Sequence, residues 1–157
     1  MEIQKTLKRL ESKENFDSLL AQYQPCFTEI DGFIEDLRLD NLNTEPALLS
    51  AQTKLTGLYG SLITVFKMMT AIKINMEAKM FVSMEEDYIR NNPGQKPLSA
   101  AKLEKMTTVE VGEYRTLRNV FEGYVLAAEK AIFTCQSNAK TLKNERIFNA
   151  VDQERYK

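Results

Sequence analysis

"LYGSLITVFKMMTAIKINMEAKMF" (Leu58–Phe81) is the most apolar stretch of this chain and holds four of its seven methionines. A membrane span, a thioether metal box and a packing seam are the three readings to weigh. As a span, residues 58–76 approach the required length of about 20. Lys67 and Lys73 lie inside it, however, with Ser61, Thr64, Thr70 and Asn75. A lysine near the bilayer centre costs roughly 2.5–3.5 kcal/mol, so the pair cancels most of the apolar gain. As a soft-metal site, Met68, Met69, Met76, Met80 and Met84 supply thioethers but form no tight cluster on one face. Methionine is more often a gap-filler in helical cores.

The seam reading explains the spacing. Leu55, Leu58, Leu62, Val65, Met69, Ile72 and Met76 recur every three or four residues, as one face of a helix requires. Tyr59, Ile63, Phe66 and Met80 border that set. The apolar arc is therefore wide enough to meet neighbours on two sides.

The flanking residues set the ends of this helix. Thr44 can cap, Glu45 suits the positive end of the dipole, and Pro46 is tolerated in the first turn. Beyond Gly57 and Gly60, no breaker follows until Pro93. The expected helix, 45–91, is about 70 Å long, whereas a compact chain of this size has a radius of gyration of about 15 Å. Either the bundle is elongated or a second copy clads the helix, and the second is favoured. We therefore expect a homo-oligomer, a dimer or higher, with Leu62, Val65, Met69, Ile72 and Met76 in the interface.

On the N-terminal side, residues 2–12 read as a short amphipathic helix with Ile3, Leu7 and Leu10 on one side. Phe16, Leu19, Leu20 and Tyr23 form one helical stripe, and Phe27, Ile30, Phe33, Ile34 and Leu37 another. Pro25 between them removes a backbone donor, which predicts a kink or break. On the C-terminal side, "NNPGQKPLS" is a loop across residues 92–99. A short helix is expected over Ala100–Lys105. "TTVE" then reads as a capping box, Thr107 with Glu110, opening a last helix over 107–147. Tyr114, Leu117, Phe121, Tyr124, Ala128, Ala131, Cys135 and Leu142 mark its apolar face. Residues 148–157 read as a frayed polar tail. The expected fold is all-α: a single domain forming an elongated bundle, with two long antiparallel, coiled-coil-like helices and an N-terminal helical segment, 1–40.

Composition excludes several chemistries. The chain has no histidine, which removes Ser-His-Asp and Cys-His catalysis and every histidine-containing metal site. Two cysteines, Cys26 and Cys135, cannot build a zinc site by themselves. They suit a reduced compartment, with a disulfide between them left open. "MEEDY" (Met84–Tyr88) carries three adjacent carboxylates that fan around a helix rather than converge on a cation. There is no phosphate-binding G-x-x-x-x-G-K-[ST] and no G-x-G-x-x-G. We expect neither an enzyme, a cofactor nor a metal. The first residues are too polar for a signal peptide, and a cytoplasmic protein is expected.

The net charge of −1 is unevenly spread. Residues 1–44 carry five basic and nine acidic side chains, and residues 94–157 carry eleven basic and eight acidic. On the last helix, Arg115 and Arg118 lie one turn apart, and Lys140, Lys143 and Arg146 recur every three residues. Cations near a helix C-terminus complement its dipole. The same residues form a candidate nucleic-acid stripe that would contact phosphates.

"YVLAAEKAIFTCQSNAKTLKNE" (Tyr124–Glu145), and within it "TCQSNAKTLKNE" (Thr134–Glu145), resembles the last helix of small helical proteins encoded in the early regions of tailed phages and prophages. The resemblance covers the last two helices and brings no catalytic residues. Together with the expected self-association, it points to an accessory of DNA replication or recombination that contacts single-stranded DNA or its binding proteins, in the host cytoplasm. The alternative is an inhibitor or decoy that binds a host defence enzyme through the acidic N-terminal segment.

Overall fold

The computed structural model describes residues 5–6, 9–10 and 12–155. Ile3 and Leu7, expected on the face of an N-terminal helix, lie outside the described residues; Leu10 is fully buried. Among the described residues the protein is all-α, with no strand. A 3-10 turn, Lys13–Asn15, leads into α1, Phe16–Arg38. The remaining helices are α2, Glu45–Asn91, α3, Ala100–Glu110, and α4, Gly112–Arg155.

Local chemistry accounts for most of the boundaries. α1 ends where Asp40 turns left-handed at φ 57°, a conformation that aspartate tolerates better than most residues. The Asn41 amide then donates back to the Asp36 carbonyl at 2.9 Å. Thr44 Oγ1 accepts from the Ala47 amide at 3.4 Å, capping α2. Gly94 supplies a positive φ of 84° in the loop after α2. Ser99 caps α3 by accepting from the Lys102 amide at 3.4 Å.

Three boundaries differ from the sequence expectation. Pro25 sits inside α1 without ending it. Pro25 is exposed while Phe27 and Ile30 beside it are buried; the lost amide bond faces water, and packing on the opposite face holds the helix. Thr107 does not open the last helix. It is a buried residue of α3, and its hydroxyl donates to Met84 Sδ at 3.9 Å. The last helix starts instead at Gly112, and it continues through residues 148–155, where a frayed tail was expected.

Packing divides the chain into two compact units: Met1–Leu20 with Thr64–Glu122, and Ala21–Ile63 with Gly123–Lys157. In the first, Leu19, Val65, Met69, Leu103, Leu117 and Phe121 are buried. Phe16 meets Tyr114 edge-to-face, with ring centroids 5.5 Å apart, a favoured aromatic geometry. Within this unit α2 and α4 run antiparallel, because Thr70 contacts Arg118 and Glu77 contacts Arg115.

In the second unit, Ala128, Ala131, Cys135 and Ala139 form a small-residue face on α4, buried along with Phe27, Ile30, Leu48 and Leu55. Phe27 stacks on Tyr124 with centroids 4.2 Å apart and planes 14° from parallel. The Tyr124 hydroxyl donates to Asp31 Oδ2 at 3.0 Å. α1 and α4 run parallel here: Phe27 and Asp31 face Tyr124, and Ile34 and Arg38 line the same groove as Leu126 and Thr134.

Candidate functional site

The five cations expected to form a nucleic-acid stripe have different fates. In the first unit, Arg115 Nε donates to Glu77 Oε1 at 2.8 Å, and Lys73 lies 3.5 Å from the same carboxylate. Arg118 Nε donates to Thr70 Oγ1 at 3.2 Å. Its guanidinium also pairs with Glu122 at 3.2 Å and lies over the Phe66 ring, 5.0 Å from the centroid. A guanidinium held by a hydroxyl, a carboxylate and an aromatic face is committed to the fold. Arg115 and Arg118, expected in the stripe, are thus held by partners within the fold. The sequence hid this because Glu77 and Thr70 lie 38 and 48 residues from the arginines that they hold.

In the second unit, Lys140 and Lys143 are exposed, with no ion pair among the described residues. Arg146 lies 3.4 Å from Glu45 at the start of α2. Most of the Arg146 side chain sees water, so this pair contributes little. Of the five, Lys140 and Lys143 are free to meet an anion, and Arg146 can exchange its partner.

The five residues expected at an oligomer interface differ in exposure. Leu62, Val65 and Met69 are at most 3% exposed, so the chain's own core uses them. Ile72 and Met76 are half-buried and line a shallow cavity of about 300 Å³ with Asn75 and Lys79. Leu62, Val65 and Met69 are thus covered within the chain, while Ile72 and Met76 keep part of their surface open.

Another apolar surface went unmarked in the sequence. Leu126, Phe133, Ile147, Phe148 and Val151 on α4 are between 46% and 67% exposed. At about 100° per residue they occupy an arc of about 100°, opposite the buried Ala128, Cys135 and Ala139. Their signal was present: Leu126 and Phe133 lie seven residues apart, and Ile147 lies fourteen further on. The stronger stripe on the other side of the helix masked it. Beside Leu126, the parallel α1 and α4 leave a groove of about 580 Å³, with Ile34, Leu37, Ala127 and Ala131 on its walls and Arg38 and Lys130 on its rim.

The displaced pKa values of Tyr114, Tyr124 and Cys135 mark packing. Burial pushes the Tyr114 hydroxyl up to about 12, and it has no hydrogen-bond partner among the described residues. Burial also raises Tyr124, with Asp31 adding to the effect, and raises the Cys135 thiol. The hydrogen bond from Arg38 holds Glu35 below the usual carboxylate range. Cys26 and Cys135 are free thiols. No cluster of three or more metal-ligating side chains occurs among the described residues.

One described helix, α2, is long and apolar enough by length and composition to cross a membrane, and 22% of its most apolar window is buried. Lys67 is exposed within it, and Lys73 holds Glu77. No family model, curated protein or solved structure matches the chain.

Proposed function

We propose that this chain is a non-enzymatic, self-associating helical interaction protein that serves phage DNA replication or recombination, contacting single-stranded DNA or the proteins bound to it. The phage setting comes from the resemblance of Tyr124–Glu145. The observation that carries the rest is the distal half of α4, where exposed apolar side chains run beside Lys140 and Lys143, both without ion pairs among the described residues. A helix that offers both apolar surface and uncommitted cations suits an anionic polymer or an acidic protein surface.

The rival reading, an inhibitor working through the acidic N-terminal segment, has less support. Three of the carboxylates that it would present are engaged internally. Asp31 accepts from Tyr124, Asp36 accepts from Asn41 at 3.0 Å, and Glu35 pairs with Arg38.

The test is the fluorescence anisotropy of a labelled single-stranded oligonucleotide titrated with the protein at low and moderate salt. Salt-sensitive binding is expected, and Lys140→Glu with Lys143→Glu should weaken it and flatten the salt dependence by roughly one to two phosphate contacts. No binding at low salt removes the DNA half of the proposal.

A further inference from the structure

We propose that α4 pairs antiparallel with α4 of a second copy of this chain, and that Phe148 of each copy enters the groove beside Ile34 and Leu37 of the other. The pairing concerns one compact unit, which contains every residue used. It deepens the self-association half of the reading above and names the surface responsible.

The exposed stripe has the geometry of a helix seam. Leu126, Lys130, Phe133, Ser137, Lys140, Asn144, Ile147 and Val151 follow one another at three- and four-residue steps, the spacing of paired helices. A parallel pair would set Lys130 against Lys130 and Lys140 against Lys140 at the centre. An antiparallel pair, with its two-fold axis between Ser137 and Lys140, sets Lys130 opposite Ile147 and moves the two Lys140 side chains into neighbouring layers, each facing Ser137. It places Leu126 opposite Val151, and Phe133 between Asn144 and Phe148.

Charge and shape then agree in the same register. Antiparallel helices bring equivalent flanks together, so Lys130 meets Glu145 of the second copy. Phe148 lies on the flank that also carries Lys130, Ala127 and Ala131, the α4 residues of the groove. Its ring therefore arrives level with Ile34 and Leu37. The groove is too open for a small apolar ligand, since Ile34 and Leu126 remain 37% and 48% exposed and small-ligand pockets enclose most of their occupant. A helix-borne aromatic ring suits it better.

The area is sufficient. The exposed parts of Ile34, Leu126, Phe133, Ile147, Phe148 and Val151 amount to on the order of 600 Å² per copy, so two copies cover on the order of 1,200 Å², the lower end of a specific interface. An isologous two-fold contact also closes on itself and leaves no open end to propagate.

Sedimentation equilibrium of the full chain at about 100 µM, a range that reveals weak dimers, tests the pairing. A dimer is expected. Phe148→Lys and Leu126→Lys should each weaken it more than about tenfold at unchanged helicity. Ile74→Lys, an exposed position on α2, should leave it intact. Lys130→Glu should weaken it, and Lys130→Glu with Glu145→Lys should restore it. A monomeric wild-type chain, or self-association indifferent to both α4 substitutions, overturns the pairing. Loss of DNA binding with the dimer intact counts against the DNA reading alone.

Discussion

The Arg118 guanidinium lies over the Phe66 ring, 5.0 Å from its centroid, while its Nε donates to Thr70 one turn further along the same helix. This contact decides what Arg118 is for. The side chain is only 19% exposed, so its charge is spent on holding α4 against α2 within the first unit. Arg118→Ala should destabilise the protein by about 1–2 kcal/mol, from the lost cation–π contact and hydrogen bonds. It should leave single-stranded DNA affinity within about twofold of wild type, since phosphate contacts require exposed cations. Urea denaturation and the anisotropy titration, made on the same variant, check both halves.

Tyr114 makes the protein sensitive to alkali. Its hydroxyl is buried without a hydrogen-bond partner among the described residues, and burial pushes its pKa up to about 12. An unfolded tyrosine releases its proton near pH 10. Above that pH the folded state holds more protons than the unfolded state, so stability is complete below about pH 10 and falls as pH rises towards about 12. Tyr114→Phe removes both the unpaired hydroxyl and the titration. It should leave stability at pH 7 unchanged or raise it by up to about 1 kcal/mol, and it should flatten the decline above pH 10. Urea midpoints measured on both proteins at neutral and alkaline pH decide this.

Leu62 and Met69 should behave as core residues. Both are fully buried, so Leu62→Ala and Met69→Ala should each cost about 2–5 kcal/mol. Ile74→Ala, at an exposed position of the same helix, should cost less than about 0.5 kcal/mol. Thermal or urea unfolding of the three variants separates the helix face that serves the chain's own core from the face that does not. Equal costs at all three positions would contradict the burial pattern.

Local signals were legible where the chemistry is local. Thr44, Glu45 and Pro46 announce the start of α2, and Pro93 and Gly94 announce its end, because capping and proline exclusion act within a few residues. The all-α fold followed from helical periodicity and scarce glycine and proline. Where a local signal competed with packing, packing prevailed. Pro25 stays within α1 because its missing amide faces water while Phe27 and Ile30 are buried on the other side. The Thr107–Glu110 pattern fails as a capping box because Thr107 is buried in α3 near Met84.

The sequence by itself determined that this protein is helical, that it has no histidine, and that its apolar central stretch lies in one long helix. Only the tertiary structure decided which faces of those helices are spent. Leu62, Val65 and Met69 went into the core, Arg115 and Arg118 went to Glu77, Thr70 and Phe66, and Leu126, Phe133, Ile147 and Phe148 were left in water. The reason is one of range. Periodicity records that a helix has an apolar face, but whether that face is covered depends on residues tens of positions away, and a helix with two apolar faces offers no local clue to which one its own chain will bury.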